Sequence, residues 1–558
     1  MLSNSTRKSG GSTTGDSVRV GTRAEADAEA LQATRRRHLR TAVDALKQKN
    51  PAYSACYGLW PWQSLALLVM LVIASTGAIF APEATLYALL AIMLVPFVCV
   101  VAVRVAALAH VCMHPPLQAQ PLPPADGELP LYTILVPLFR ETAVIPGLVA
   151  ALRALDYPAD RLEIMLIAEE VDIDTQVALR RAKLDPHMQI VVVPGGEPRT
   201  KPRATQYALQ FAKGAYVVVY DAEDEPEPDQ LRRALSALQN GGDRIGCVQA
   251  RLNIHNSNLS WFSRQFTIEY TALFDAILPT LDRLRLPVPL GGTSNHFPRH
   301  VLDDVGGWDP YNVTEDADLG MRLARRGRDV GVIPSTTWEE APTTFRVWKG
   351  QRTRWLKGWM QTYGVHMREP RVLWRELGAR RFAGFQVLMG GMILSALVHP
   401  WFYLLLVFEL WSGRMLTLPQ GAVGQALLGI GLLNLCVGYV SAIALGTVAA
   451  ARRSRLDLAA HALMMPAYWL LISFAAHRAL LELLWAPHYW EKTEHVGRVA
   501  PGQSQRVQSG AVMAKTAASA SGSGRLASGD NHAAKAEIAV PVAGQREAVS
   551  GKETQRLL

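Results

Sequence analysis

The sequence predicts an α/β domain built on a mostly parallel, doubly wound sheet and inserted between apolar helical segments. Three observations carry this. Between Leu129 and about Pro342, short β-rich runs alternate with helical patterns, as they do where helices join parallel strands. Apolar runs on both sides are long enough to cross a hydrocarbon core of about 30 Å. A hydrophobic content of 49% over 558 residues suits one globular domain plus several spanning helices better than a single soluble domain.

Taken in order, residues 1–58 read as a basic, mostly disordered cytoplasmic arm. The arm has a Ser/Gly/Thr-rich start followed by Arg35, Arg36, Arg37, Arg40, Lys47 and Lys49, too long and polar for a cleaved signal peptide. A transmembrane hairpin follows at 59–112, with apolar runs at 63–80 and 84–110. Trp60 and Trp62 flank the first run as interfacial aromatics would. With the basic arm inside, the hairpin returns the chain to the cytoplasm, so the α/β domain at 129–342 is expected there.

A bundle at 383–486 is expected to hold about three spans, near 385–411, 423–450 and 458–485. Arg452, Arg453 and Arg455 mark the last connection as cytoplasmic. Five spans would leave the C-terminus outside, whereas Lys492, Arg498, Arg506 and Lys515 argue for inside. One segment is therefore expected to be re-entrant or interfacial, with Pro466 as a plausible break. The stretch 497–558, rich in Ala, Ser, Gly and Gln, reads as disordered.

The net charge of +9 does not point to nucleic acid, because the basic residues cluster beside apolar stretches. The five cysteines show no CxxC or metal spacing and predict neither disulfides nor zinc.

Strands are expected at Tyr132–Pro137, Glu163–Ala168, Gln189–Val193 and Tyr216–Tyr220. Ligands of such sheets bind beyond the carboxyl ends of the strands. Polar residues collect there: Arg140 and Glu141, then Glu169, Glu170 and Asp172, then Asp221 to Glu225. No GxGxxG or GxxxxGK[ST] occurs in the region, which disfavours a dinucleotide cofactor and a P-loop. Asp221-Ala-Glu223-Asp224 ends a buried strand in hard oxygen ligands, which suit Mg²⁺ or Mn²⁺ bridging a diphosphate. The bland alternative is an acidic loop capping the next helix. Lys201 could reach the phosphates as a point charge.

Thr314-Glu315-Asp316 reads as an N-cap with acids in the first turn. A carboxylate there could also remove the proton from an attacking hydroxyl. Gly291-Gly292-Thr293-Ser-Asn295 and Gly306-Gly-Trp308 supply turns where backbone could approach a ligand. At 343–370 an amphipathic helix carries Trp348, Trp355, Trp359 and Tyr363 near one face, as an interfacial helix would. Within Gln351-Arg-Thr-Arg354-Trp355, Arg352 and Arg354 could meet a leaving diphosphate, and Trp355 offers a flat face for a pyranose ring.

From about Leu59 to His495 the chain resembles the processive glycosyltransferases of family 2, the cellulose-synthase-like group with a GT-A fold. The resemblance rests on the order of an acidic motif, a DxD-like motif, a TED motif and a QxxRW motif. It implies that Asp221 and Glu223, with Asp224 as alternative, hold the metal and diphosphate. It further implies that Asp316, beside Glu315, is the general base, and that Gln351, Arg354 and Trp355 lie near the acceptor and diphosphate. Glu169-Glu-Val-Asp172 replaces the usual Asp-Asp-Gly, leaving Glu169, Glu170 or Asp172 as the uridine-contacting acid. Lys201 joins the donor set, while Gly292, Thr293, Asn295 and Trp308 are assigned with Trp355 to the acceptor.

The expected function is a multi-pass bacterial inner-membrane synthase that uses a UDP-sugar, first UDP-glucose, to extend a growing β-glucan with inversion. The lipid bilayer is its setting, and any export partners are not encoded. The alternatives are a non-processive transferase acting on a lipid acceptor and a nucleotide-binding transporter or scaffold. The spans lack a mid-membrane ionisable relay, which disfavours the transporter.

Overall fold

The computed structural model describes residues 14–115, 129–413 and 421–492, with side chains from residue 28 onward. The stretch 497–558 lies outside the described residues.

The strands are β1 (Tyr132–Leu138), β2 (Leu162–Glu169), β3 (Met188–Val193), β4 (Tyr216–Val219), β5 (Glu225–Pro226), β6 (Ile245–Ile254), β7 (Asn295–Pro298) and β8 (Asp329–Glu339). They form one sheet in the order β3-β2-β1-β4-β7-β6-β8-β5. Strands β3, β2, β1 and β4 run parallel, and so do β6 and β8. Strand β7 is antiparallel to both β4 and β6. The sheet is thus mixed but mostly parallel. Ile134, Leu135 and Val136 in β1 and Ile164 to Ile167 in β2 are fully buried, because helices cover both faces of a sheet wound this way.

Strand β7 carries no β-branched run to announce it. Its His296 is held in the core by Tyr132 Oη at 2.9 Å and Gln230 Oε1 at 3.3 Å, and burial lowers its pKa to about 3.

The basic arm is ordered where it is described. Residues Thr14–Lys49 form one helix, not a mostly disordered segment. Ala42 and Leu46 are buried, Arg35 pairs with Glu170 at 3.3 Å, and Lys47 donates to Tyr311 Oη at 3.0 Å. The apolar stripe that allows this docking is sparse among the charges, so its composition alone suggested disorder.

Among the described residues, five helices are long and apolar enough to cross a membrane: Pro61–Phe80, Pro82–Met113, Pro370–Trp411, Gly421–Arg452 and Met465–Trp485. The fifth bonds to the α/β domain near its start and to the helix Phe345–His366 near its end. Near its start, Tyr468 Oη donates to Glu269 at 2.9 Å. Near its end, Glu482 pairs with Lys357 at 3.2 Å, and beyond it Lys492 pairs with Glu141 at 2.6 Å. The segment to Lys492 therefore returns to the domain.

The helix Phe345–His366 is wedged between the domain and Met465–Trp485. Trp348, Arg352, Lys357, Met360 and Val365 are all buried. Its aromatic periodicity marked an apolar face correctly, but that face is covered by protein, whereas the sequence suggested a membrane surface.

The same helix meets Thr314 at Gly358. A β-carbon on Gly358 would sit 2.3 Å from Thr314 Oγ1 and 2.7 Å from its amide nitrogen, too close for any side chain. Gln361 Oε1 accepts from Val313 N at 3.2 Å, and Asn312 Nδ2 donates to Thr362 at 3.0 Å. Gly358→Ala is expected to cost about 1–3 kcal/mol through overpacking, read as lowered thermal unfolding in detergent. Gly147→Ala, at a helical glycine with nothing within 4 Å of the added carbon, is expected to stabilise by about 0.4–1 kcal/mol. Equal melting of the two variants would refute the close approach.

Candidate active site

The carboxyl ends of β1, β2 and β4 open onto a cavity of about 260 Å³. Its wall holds Asp221 and Glu223 from the loop after β4, Glu169 from the end of β2, and Lys201 from the first turn of the helix Lys201–Leu209. Glu315 and Asp316 enter from the first turn of the helix Glu315–Arg325. Gln351, Arg354 and Trp355 enter from Phe345–His366.

These groups converge on Gly292. A β-carbon there would lie 3.4 Å from Asp316 Oδ2, 3.9 Å from Asp221 Oδ2 and 3.9 Å from Lys201 Nζ. Lys201 donates to Gly292 O at 2.7 Å and pairs with Asp221. The glycine leaves room for three charged side chains to face one space.

Burial dominates the electrostatics. It raises the pKa of Glu223, with Asp221 adding to the effect, and it raises that of Asp224 likewise. Glu315 rises to about 8 through burial and the adjacent Asp316, opposed by Lys201. Asp316 is raised by burial, against which its bond to Ala317 N and the Lys201 and Arg354 charges work. Burial opposes the Lys201 ammonium, but Asp221, Glu315 and Asp316 outweigh it and leave its pKa above the ordinary lysine value. Burial lowers Arg354, partly offset by the same acids. Carboxylates crowded in low dielectric destabilise their own charge, so the site favours a ligand that brings in cations.

Several predicted residues lie elsewhere. Of the three candidates after β2, only Glu169 lines the cavity, and its carboxylate is tied to the buried Arg203. Glu170 instead pairs with Arg35 and accepts from Gly195 N at 2.9 Å, and Asp172 caps the helix Ile173–Arg181. Asp224 faces inward, its Oδ2 accepting from Asp221 N at 2.7 Å and from Thr293. Its Oδ1 is buried without a partner.

Thr293 and Asn295 are buried, bonded to Val219 O and Gly291 O. Trp308 is a core residue packed edge-on against Phe297. The neighbouring Gly307, at φ 65°, yields its space to Gln206, whose Oε1 accepts from Trp308 N at 2.9 Å. Arg352 does not face the cavity: it makes a two-pronged bond to Glu269 at 2.8 and 2.6 Å.

The wall also holds residues that the sequence reading did not single out for the site. Glu339 at the end of β8 joins the acids, and burial together with Asp224, Glu223 and Asp221 raises its pKa. Phe266, Tyr270 and Phe274 form an aromatic side. Trp490 and Lys492 come from beyond Met465–Trp485, with Arg354 stacked 4.3 Å over the Trp490 ring. Glu339-Glu340 repeats the signal of acids at a strand end, which could have identified it. Lys492 read only as a topological charge.

The divalent cation implied by the sequence can be tested against these groups. Among the described residues, no three His, Cys, Asp or Glu side chains are grouped to hold a metal. Mg²⁺ commonly takes only one or two carboxylates, with substrate phosphates and water completing its shell. Asp221 and Glu223 on the wall, with the orphaned Asp224 oxygen behind them, fit that donor set.

Residues 130–358 match the glycosyltransferase-like family 2. A probable glycosyltransferase of Bacillus subtilis is 27% identical over 234 residues, covering 41% of this chain and 56% of that protein. A β-monoglucosyldiacylglycerol synthase of Synechocystis is 29% identical over 255 residues, covering 44% and 52%. Glucomannan 4-β-mannosyltransferase 1 of rice is 25% identical over 254 residues, covering 43% and 49%. The chain thus spans about half the length of these curated relatives. A mannosyltransferase from Pyrobaculum calidifontis, solved with GDP-Man and Mn²⁺, aligns with a TM-score of 0.47 at 18% identity over 70% of this chain and 99% of that one. The matched segment, residues 130–358, lies in a chain whose described residues include five candidate membrane-spanning helices.

Because Glu315 is raised from 4.5 to about 8, the ligand-free fold binds its proton more tightly than the unfolded chain does. That contribution is fully present below about pH 4.5 and is lost as pH rises through about 8. The melting temperature of wild type relative to Glu315→Gln is therefore expected to fall across this window. A pH-independent difference would contradict the burial of this carboxyl.

Proposed function

We propose that the chain is a membrane-embedded inverting glycosyltransferase that takes a UDP-sugar, extends a glycan acceptor and passes the product between its flanking spans. The supporting observation is the convergence of Asp221, Lys201 and Asp316 on Gly292, facing Gln351, Arg354 and Trp355 across one cavity. UDP-glucose is the first donor to test. A bacterial inner membrane, with the domain in the cytoplasm, is the setting this reading assigns.

Inversion needs one displacement. The acceptor oxygen attacks the anomeric carbon from the face opposite the diphosphate, the bond to the diphosphate oxygen breaks, and UDP leaves with that electron pair. Asp316 takes the acceptor proton. Its anionic form is favoured by Lys201 and Arg354, which also offset the charge of the diphosphate. Trp355, Tyr270 and Trp490 supply flat faces for sugar rings. A Mg²⁺ or Mn²⁺ ion held by Asp221 and Glu223 would neutralise charge on the departing diphosphate.

A second reading, single transfer to a lipid acceptor, is favoured by the similarity to β-monoglucosyldiacylglycerol synthases. Membranes incubated with radiolabelled UDP-sugars separate the two by product size. A high-molecular-weight polymer is expected, whereas a short glycolipid would establish the second reading. Asp316→Asn is expected to lose about 10²–10⁴-fold in transfer rate while still binding UDP-sugar in a filter assay. Full activity would overturn the base assignment. Asp221→Ala should lose the metal-dependent turnover that wild type shows on titration with Mg²⁺ or Mn²⁺, and metal-independent turnover by that variant would remove Asp221 from the metal site.

A further inference from the structure

Arg104 lies within the apolar helix Pro82–Met113. Its Nη1 donates to Gly438 O at 3.2 Å, and its guanidinium lies 4.7 Å over the Trp469 ring. Among the described residues no carboxylate pairs with it. A guanidinium has five N–H donors and is never deprotonated, so a carbonyl and an aromatic face leave its charge uncompensated. Such a charge at a membrane is retained where it has a partner.

Two observations fix its depth. Counted from Pro82, the end remote from the domain, Arg104 is 22 residues along, or about 33 Å at 1.5 Å per residue. A hydrocarbon core is about 30 Å thick. Independently, Trp469 adjoins Tyr468, whose Oη donates to Glu269 of the domain at 2.9 Å. Arg104 therefore stands at the domain-side edge of the hydrocarbon, level with lipid headgroups.

Its surroundings are aromatic side chains from three helices. Tyr439 stacks on Trp469 at 5.5 Å and bonds to His399 Nε2 at 3.2 Å, while Tyr403 bonds to Tyr439. The helices pack closely here, since a β-carbon on Gly438 would lie 3.2 Å from a Val101 methyl group.

We propose that Arg104 and its aromatic neighbours bind the phosphate-bearing headgroup of an anionic membrane lipid, with Arg104 as the cation. Basic pockets between spanning helices on the cytoplasmic side suit such headgroups, and a neutral glycan would leave the charge without a counter-ion. This cluster adjoins the site through neighbouring side chains, because Tyr468, next to Trp469, receives Arg352 Nη2 at 3.0 Å and Trp348 Nε1 at 2.9 Å. The proposal rests on Pro82–Met113 spanning the membrane and does not depend on which sugar is transferred.

The test is native mass spectrometry of full-length protein released from vesicles of phosphatidylcholine, with or without phosphatidylglycerol. Wild type is expected to retain a phosphatidylglycerol adduct that Arg104→Gln loses. Arg371→Gln, on the helix Pro370–Phe385, should retain it. Arg104→Lys, which keeps the charge but not the forked donors, should retain several-fold less than wild type. Equal retention by wild type and Arg104→Gln would overturn the proposal. If Arg104→Gln does not fold, equal retention by wild type and Arg104→Lys would do so. Displacement of the adduct by inorganic phosphate would assign Arg104 to a free anion and overturn the lipid.

Discussion

Arg352, itself buried, donates to both carboxylate oxygens of the half-buried Glu269, at 2.8 and 2.6 Å, and also to Tyr468 Oη. Truncating one partner of such a pair leaves the other charge buried and unpaired, a cost of several kcal/mol. The three groups come from the helix Phe345–His366, the domain helix Trp261–Ala272 and the membrane-side helix Met465–Trp485. Farther along the first of these, Lys357 reaches Glu482 and the carbonyls of Ala486 and Tyr489. Arg354, between them, is left to face the acids of the cavity. One helix thus uses two buried cations to clamp membrane segment to domain and a third to line the site, so the cavity's width depends on contacts made outside it.

The opposite wall is held with the same economy of space. Asp318 lies between Arg322 at 2.8 Å and His366 Nε2 at 3.0 Å, and these partners keep its carboxyl below the ordinary range despite burial. That pairing ties the helix carrying Glu315 and Asp316 to the end of Phe345–His366, while Gly358 lets the two backbones meet at Thr314. Asp318, two residues from Asp316, is paired and ionised, whereas Asp316 and Glu315 face the cavity with raised pKa values. Neighbouring acids on one turn differ because one is bonded to Arg322 and His366, whereas for the others burial outweighs the Lys201 and Arg354 charges.

Much of the fold was legible in sequence because burial on both faces leaves a plain trace. The apolar runs of β1 to β4 could only be strands of a covered sheet, and the acids beyond them marked its ligand edge. Strand β7 was not legible, since four residues of mixed polarity owe their conformation to the neighbours on either side. The docked arm helix was missed for a related reason: charged residues dominate its composition, and a few apolar contacts decide its order. Within the site, Trp308 and Gly307 looked like a ligand turn, yet Gln206 fills that space.

By itself the sequence determined the α/β class, the order of acidic and aromatic motifs, and the presence of several apolar helices. All three follow from local periodicity and composition. Tertiary structure alone decided that Asp221, Lys201 and Asp316 meet at Gly292, that Glu339, Trp490 and Lys492 join them, and that the segment after Met465–Trp485 returns to the domain. Those outcomes depend on which buried charge finds which partner across separations from 20 to 351 residues, and pairing over such unequal ranges leaves no periodic trace in the sequence.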